Sequence, residues 1–298
     1  MSTFPVTLNV VGCGKLGTTL PRLLKDSGGV RIGGLYSRTV AHAEVARTFI
    51  GQGSVVDSLA ELPAAELWLV AVSDHAIADT GRQLAALHRD WHEVTVFHAS
   101  GVHDAGQLSL LATLGARTAS LHPAHSFADR DKSLLTFAGT CCALEGEPAA
   151  KAQLSALFSL LPVRLFEIET AAKPLYHAAT AMASNYLVSL IATSLSLLAK
   201  AGIGEQDARA LLAPLASQTA ANVFARGPAA ALTGPITRGD SATVARHLTH
   251  LTATAPETLD VYRSLGRATL ELASTSGELT PDKVSELAAL FAAAASKL

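Results

Sequence analysis

Three glycines near the amino terminus carry the clearest chemistry in this chain. The segment VTLNVVGCGKLGTTL sets Gly12, Gly14 and Gly17 in the spacing G-x-G-x-x-G. An apolar run that predicts a strand precedes them, and a stretch that predicts a helix follows. In that setting each glycine has a task. Gly12 permits a tight turn, Gly14 lets a pyrophosphate approach the backbone, and Gly17 allows close packing of helix on strand. Lys15 and Leu16 open the helix, whose free N–H groups then face the phosphates. About 20 residues further on, binders of NAD place a carboxylate for the ribose hydroxyl. This chain has Leu35-Tyr36-Ser37-Arg38-Thr39 there and no carboxylate. The hydroxyl of Ser37 and the guanidinium of Arg38 suit a 2′-phosphate, so NADP is expected rather than NAD. The plain alternative for Arg38 is a solvated surface residue.

Polar residues also gather where three predicted strands end: Val72-Ser73-Asp74-His75, Phe97-His98-Ala99-Ser100-Gly101 and Leu121-His122-Pro123-Ala124-His125. Ligands of open α/β sheets bind at the carboxyl ends of the strands. Ser73, Asp74 and Ser100 are candidate cofactor contacts, and His98 and His122 candidate substrate contacts. Each has a structural alternative. Ser73 and Asp74 could cap a helix, His98 could be a satisfied core histidine, and His122 could brace its loop. His122 and His125 lack an evident third ligand, so no metal is expected.

Further on, the segment TAAKPLYH opens a long uncharged helix, with Thr170 as a candidate N-cap and Pro174 in the first turn. At α-helical spacing His177, Ala181, Ser184 and Asn185 share one face, and Lys173 leads it if the helix already includes it. Lys173 and His177 are candidate proton donors, and Asn185 a candidate substrate donor. An imidazole, with a reference pKa of ~6.5, suits proton exchange near neutrality. A lysine, at ~10.4, needs burial or neighbours to lower it. Arg238, in TGPITRGD, could grip a substrate carboxylate, pin its loop or pair across a dimer.

The elements that must position these residues follow from the apolar pattern. Runs at Val6–Val11, Val30–Leu35, Leu67–Val72, Val94–Phe97, Thr118–Leu121, Thr140–Leu144 and Val163–Ile168 predict strands. Helical patterns between them include Leu16–Lys25, Val40–Phe49 and Ala150–Leu160. That alternation predicts a doubly wound, mostly parallel α/β sheet over residues 1–168. Residues 169–298 read as helices only, broken by Gly or Pro at Gly202–Gly204, Gly227–Pro228, Thr233–Asp240 and Gly277–Pro281.

Composition sets the outer limits. With 49% hydrophobic and 16% charged residues over 298 positions, the chain can bury a sizeable core. A formal charge of −2 gives no reason to expect nucleic acid as a partner. Cys13, Cys141 and Cys142 form no disulfide or zinc pattern, and the adjacent pair reads as small buried strand residues. Met1–Pro5 shows no targeting pattern, which points to a cytoplasmic protein. Ala178–Ala199 is uncharged and long enough to span a bilayer. Its Asn185, four serines and two threonines favour instead a helix buried on nearly all sides of a soluble protein. A homodimer through the helical domain is expected, and no membrane.

Taken together, GCGKLG, YSRT, HASG, LHPAHSF, KPLYHAATAMASNYL and LTGPITRGD resemble the Rossmann-like NADP oxidoreductases with a C-terminal helical domain of unknown function. That group is distantly related to ketopantoate reductases, pyrroline-5-carboxylate reductases, hydroxyisobutyrate dehydrogenases and deazaflavin-dependent oxidoreductases. The resemblance implies an NADP-dependent reduction of a small carbonyl compound, such as ketopantoate. Imine reduction and deazaflavin-linked hydride exchange are alternatives, as is a non-catalytic NADP sensor. Hydroxyacid dehydrogenases of this class use Lys-x-x-x-Asn at the start of the long helix. Here Lys173 matches and His177 stands in the asparagine position, which leaves Asn185 to supply the amide.

Overall fold

The computed structural model describes residues 5–275, 277 and 279–292. Met1–Phe4, Ser276 and Glu278, on which parts of the targeting and last-break readings fall, lie outside them. The chain divides into two compact units, Met1–Ser184 and Asn185–Leu298.

In the first unit β1 (Val6–Val11), α1 (Lys15–Asp26), β2 (Val30–Tyr36), α2 (Val40–Ile50) and the two-residue β3 (Ser54–Val55) lead into β4 (Leu67–Val70) and α3 (Ile77–Ala85). Next come β5 (Thr95–His98), α4 (Ser109–Thr113), β6 (Arg117–Pro123) and α5 (Arg130–Thr136). Then follow β7 (Cys141–Gly146), α6 (Pro148–Phe158), β8 (Arg164–Glu167) and α7 (Lys173–Ala181). The eight strands form one sheet in the order β3-β2-β1-β4-β5-β6-β7-β8. All neighbours are parallel except β6 and β7. This is the doubly wound, mostly parallel sheet that the alternation predicts.

Alternate side chains of each strand feed two cores. Leu8, Val10, Leu67, Leu69 and Phe97 face α1, α2 and α6. Val11, Trp68, Val70 and Val96 face α3 and α4, under the edge-on pair Trp68–Trp91. Strands buried on both faces read as continuous apolar runs, and that is why the sequence shows them. Thr118–Leu121, a weak signal, is part of the seven-residue β6. Cys142 is buried on β7, but its neighbour Cys141 is exposed, because successive strand residues face opposite ways.

A π turn, Met182–Tyr186, follows α7. Its wider turn breaks the spacing that sets His177 and Asn185 on one face. Beyond it lie α8 (Leu187–Lys200), α9 (Glu205–Arg226), α10 (Pro228–Ala231), α11 (Ser241–Thr254), α12 (Leu259–Ser274) and α13 (Pro281–Ala292). The core of this second unit is Val244, Leu248, Leu270, Leu287 and Phe291, all on α11, α12 and α13.

One expectation is overturned. The helical stretch Thr170–Lys200 is long and apolar enough to cross a membrane by length and composition, yet none of its most apolar window is buried. The predicted burial on nearly all sides within the chain does not occur. Val188 is 68% exposed, and on α9 Phe224 is 89% exposed. Hydroxyls that side with solvent satisfy themselves locally: Thr193 donates to the Ser189 carbonyl and Ser194 to that of Leu190.

Candidate active site

The glycine turn joins β1 to α1, and its stereochemistry shows why these positions are glycine. Gly12 has φ +102, and a Cβ there would lie 2.4 Å from the Ala71 carbonyl oxygen. A Cβ on Gly17 would lie 2.0 Å from the Gly12 oxygen. Gly14, the N-cap of α1, differs: a Cβ would meet nothing within 4 Å. Two glycines thus let the turn pack, and the third leaves its backbone open to a ligand at a helix N-terminus. The α1 first turn holds no acidic side chain. That cradle fits a dinucleotide pyrophosphate. Leu16 packs on the core. Lys15 is exposed and donates to the Ala128 carbonyl, drawing the loop after β6 to the first turn of α1.

At the end of β2, Ser37 is half-buried and Arg38 exposed. Arg38 forms no ion pair among the described residues, so its guanidinium remains available for a phosphate. Ser73 and Asp74 are exposed at the end of β4, and neither side chain caps a helix. Ser73 Oγ contacts His75 instead.

Two candidates turn inward. His98 is fully buried, and both its ring nitrogens hold backbone: Nε2 with the Asp104 carbonyl at 2.8 Å and Nδ1 with the Ser100 N–H at 3.2 Å. Burial drives its pKa down to about 4. His98 therefore shapes the turn after β5 and does not face a substrate. The Ser100 hydroxyl likewise accepts from the N–H groups of Val102 and His103. It holds its own loop rather than pointing at a cofactor.

Beside that turn a second group assembles. β7 runs against β6, so β8 ends at the far side of the sheet and α7 climbs back along β6. Thr170 is not the expected N-cap. It lies in a 3₁₀ turn, and its hydroxyl donates to Glu145 Oε2 at 3.2 Å. Lys173 is helical although Pro174 follows, since the 3₁₀ turn already directs the chain. Its ammonium is 1% exposed. It donates to the Ser100 carbonyl at 3.1 Å and to Ser120 Oγ at 2.6 Å, and Glu145 Oε1 lies 3.9 Å away. Burial lowers the Lys173 pKa, against the opposing pull of Glu145, Asp104 and Asp74.

One turn on, the Tyr176 hydroxyl meets His122 Nδ1 at 2.8 Å. The His122 ring stands edge-on to both Tyr176 and His177, with centroids 5.6 and 6.2 Å away. Burial, followed by the Lys173 charge and His177, pushes His122 down to about 4, so its ring is neutral in ordinary conditions. Burial also raises the Tyr176 phenol to about 12. Gly101 leaves the space these rings occupy: a Cβ would lie 2.5 Å from His177 and 3.0 Å from His122. His177 is half-buried, with no hydrogen-bond partner for its ring among the described residues. Unlike Lys173, it is free to meet a ligand. His125 leaves this group and packs on Phe127 and Phe137.

Asn185 and Arg238 belong to the second unit. Asn185 is exposed on the π turn, and Arg238 is exposed in the turn before α11, where Asp240 caps the helix through the Thr243 N–H. A cavity of about 540 Å³, lined by Thr7, Glu66, His92 and Arg117, opens at the amino ends of the strands, remote from the glycine turn.

Comparison with known proteins finds two family matches along the chain. The Rossmann-like domain family matches residues 3–123, and a domain of unknown function (DUF2520) matches residues 140–269. The first match spans β1 to β6, and the second begins at β7, taking in Glu145, Lys173, Tyr176 and His177. No curated protein matches the chain in sequence. Among solved structures, a candidate NADP oxidoreductase from Bacteroides fragilis is 24% identical, with a TM-score of 0.74 over 89% of this chain and 98% of that one. A protein from Thermotoga maritima is also 24% identical, with a TM-score of 0.71 over 91% and 99%. An imine reductase from Myxococcus stipitatus, solved with NADP+, is 17% identical, with a TM-score of 0.59 over 91% and 94%. The chain thus carries, one after the other, a match to a Rossmann-like domain and a match to the DUF2520 domain.

Proposed function

We propose that this protein is an NADP-dependent oxidoreductase that reduces a small carbonyl or imine compound. The observation that carries the reading is one sheet edge that holds both a phosphate-accepting turn and a group of titratable rings. The imine reductase bound to NADP+ and the candidate NADP oxidoreductase share the fold and support the cofactor. Bound at this edge, NADPH would supply the hydride. The chain must then provide a proton and a shaped, dry surface. His177 is the group placed to pass a proton to the substrate heteroatom, because its ring is unpartnered. Tyr176 and His122 fix each other beside it. Lys173 lies buried beneath the rings and does not reach the surface. A sensor that only binds nucleotide has no use for such a ring group. The test is NADPH consumption by purified protein with a panel of 2-keto acids, ketopantoate among them, and of cyclic imines. Tight NADPH binding with no turnover across both classes would overturn the reading.

The phosphate preference has its own test. Arg38→Ala is expected to weaken NADP binding by about tenfold to a hundredfold, the worth of a charge-assisted hydrogen bond. NAD affinity should stay as it is. Calorimetry with both nucleotides checks this, and equal losses for the two would remove Arg38 from the 2′-phosphate.

The exposed faces of α8 and α9 are read as the contact with a second copy of this chain. Exposed large apolar side chains on neighbouring helices, here Val188, Leu190, Leu211, Leu215 and Phe224, mark an interface when they form a patch, and like chains most often pair by a two-fold axis. Among the described residues, the hydrophobic core cluster of the second unit lies on α11, α12 and α13 rather than on these helices. Light scattering at micromolar concentration should give a dimer, and Val188→Glu should give a monomer. A wild-type protein that stays monomeric at high concentration would exclude this contact.

A further inference from the structure

Glu145 is a buried carboxylate for which the reduction itself has no use, and it touches three segments at once. It stands on β7 directly across the antiparallel ladder from Ser120 and is 4% exposed. Oε1 accepts the Ala105 N–H at 2.8 Å and faces Lys173 Nζ at 3.9 Å, while Oε2 accepts the Thr170 hydroxyl. Ala105 starts the turn that follows the β5 loop. Thr170 and Lys173 begin the helix that carries Tyr176 and His177. A carboxylate taken this far from water is costly unless paired, and an apolar residue in its place is often no less stable. What the charge adds is a fixed meeting point for segments distant in sequence.

We infer that Glu145 is a positioning residue: by gripping the turn after β5 and the first turn of α7, it holds Lys173 beneath Ser100 and keeps His122, Tyr176 and His177 in register. The inference rests on the reading of those rings as the proton-handling group. The charged and titratable groups facing this cluster are Asp104 and Asp74 around Lys173, and Lys173, His177 and Asp74 around His122. Asp104 is the other carboxylate near Glu145. None of them makes the three contacts of Glu145.

The experiment compares full-length wild type with Glu145→Gln and Thr170→Val. The first removes the charge and keeps the shape. The second removes one contact, and it decides by the same readouts if the first does not fold. NADPH affinity should stay within about twofold, because the glycine turn is untouched, while kcat falls about tenfold or more in Glu145→Gln and less in Thr170→Val, with little change in KM. The second readout needs no substrate. With the grip of the carboxylate loosened, the start of α7 shifts against the turn after β5, and the His122 ring signals followed by NMR at neutral pH move, because the Tyr176 and His177 rings beside it are displaced. The signals of the exposed His75 and His92 rings should stay as in wild type. Unchanged His122 ring signals together with an unchanged kcat would overturn the positioning role. A wild type that turns over nothing sinks the reductase reading instead. The His122 ring signals then decide alone: a shift supports the positioning role, and none overturns it.

Discussion

Gly14→Asp is expected to abolish nucleotide binding while leaving the fold as stable as wild type or slightly more so. The two effects separate because Gly14 differs from its partners. A Cβ on Gly12 or Gly17 would strike backbone at 2.4 or 2.0 Å, and at Gly14 it would meet open space. Gly14 is also the N-cap of α1, with an extended backbone at φ −70 that any residue adopts. Aspartate is a favoured N-cap and adds a charge suited to the helix dipole, worth about 0.5–1 kcal/mol of stability. The same carboxylate stands where a pyrophosphate must approach, so it blocks and repels it. Calorimetry should show at least a hundredfold loss of NADP affinity, which is about 2.8 kcal/mol. Thermal unfolding should show no fall in Tm. Retained affinity would mean that the phosphates do not lie at this turn.

Lys173→Met carries the second large effect, and it falls on stability. The change removes the only cation within ion-pair distance of Glu145 among the described residues and leaves a buried carboxylate facing a thioether. Breaking a buried pair from one side costs about 3–5 kcal/mol. The pH dependence follows from the shifts. Burial already holds the Glu145 carboxyl above the ordinary carboxylate range, and Lys173 opposes that rise. Without Lys173 it climbs further. Between that raised value and the unfolded reference of ~4.3, the folded state binds more protons than the unfolded state. Stability of the variant should therefore increase as pH falls through this window. Urea unfolding at neutral pH and near pH ~5 tests it, since a protonated Glu145 no longer needs a cation. A constant penalty at both values would mean that Glu145 is not the unpaired group. The double variant with Glu145→Gln should recover part of the loss.

The sheet and the glycine turn were legible in the residues because both rest on local rules. Strands covered on two faces must be apolar throughout, and a turn with positive φ under a close backbone contact admits glycine alone. Those rules act over a few neighbouring positions, so Val6–Val11, Gly12 and Gly17 can be read in one dimension, and Gly14 follows from its place in the G-x-G-x-x-G spacing. The ring group was legible in part. His122 and His177 stand out as imidazoles at element ends. Tyr176 passes for an ordinary aromatic until the fold sets its hydroxyl against His122. Glu145 left one faint sign, a carboxylate inside the apolar run CCALEG, where burial demands a partner.

Which partner it finds depends on the reversed direction of β7. That reversal brings residue 145 beside residue 120 and sends α7 back along β6. The same reversal decides that Lys173 ends in the interior and His177 at the surface, although only four positions separate them. His98 and His122 likewise carry the same side chain at comparable strand ends. The alternation of strand faces and the neighbours supplied by other elements turn one into a core residue and the other into a candidate for chemistry. The long uncharged helix teaches the converse. Its composition shows that it needs covering, but hydropathy is a property of the segment and burial is a property of its neighbours. Only the packed structure reveals that the chain itself leaves this helix exposed.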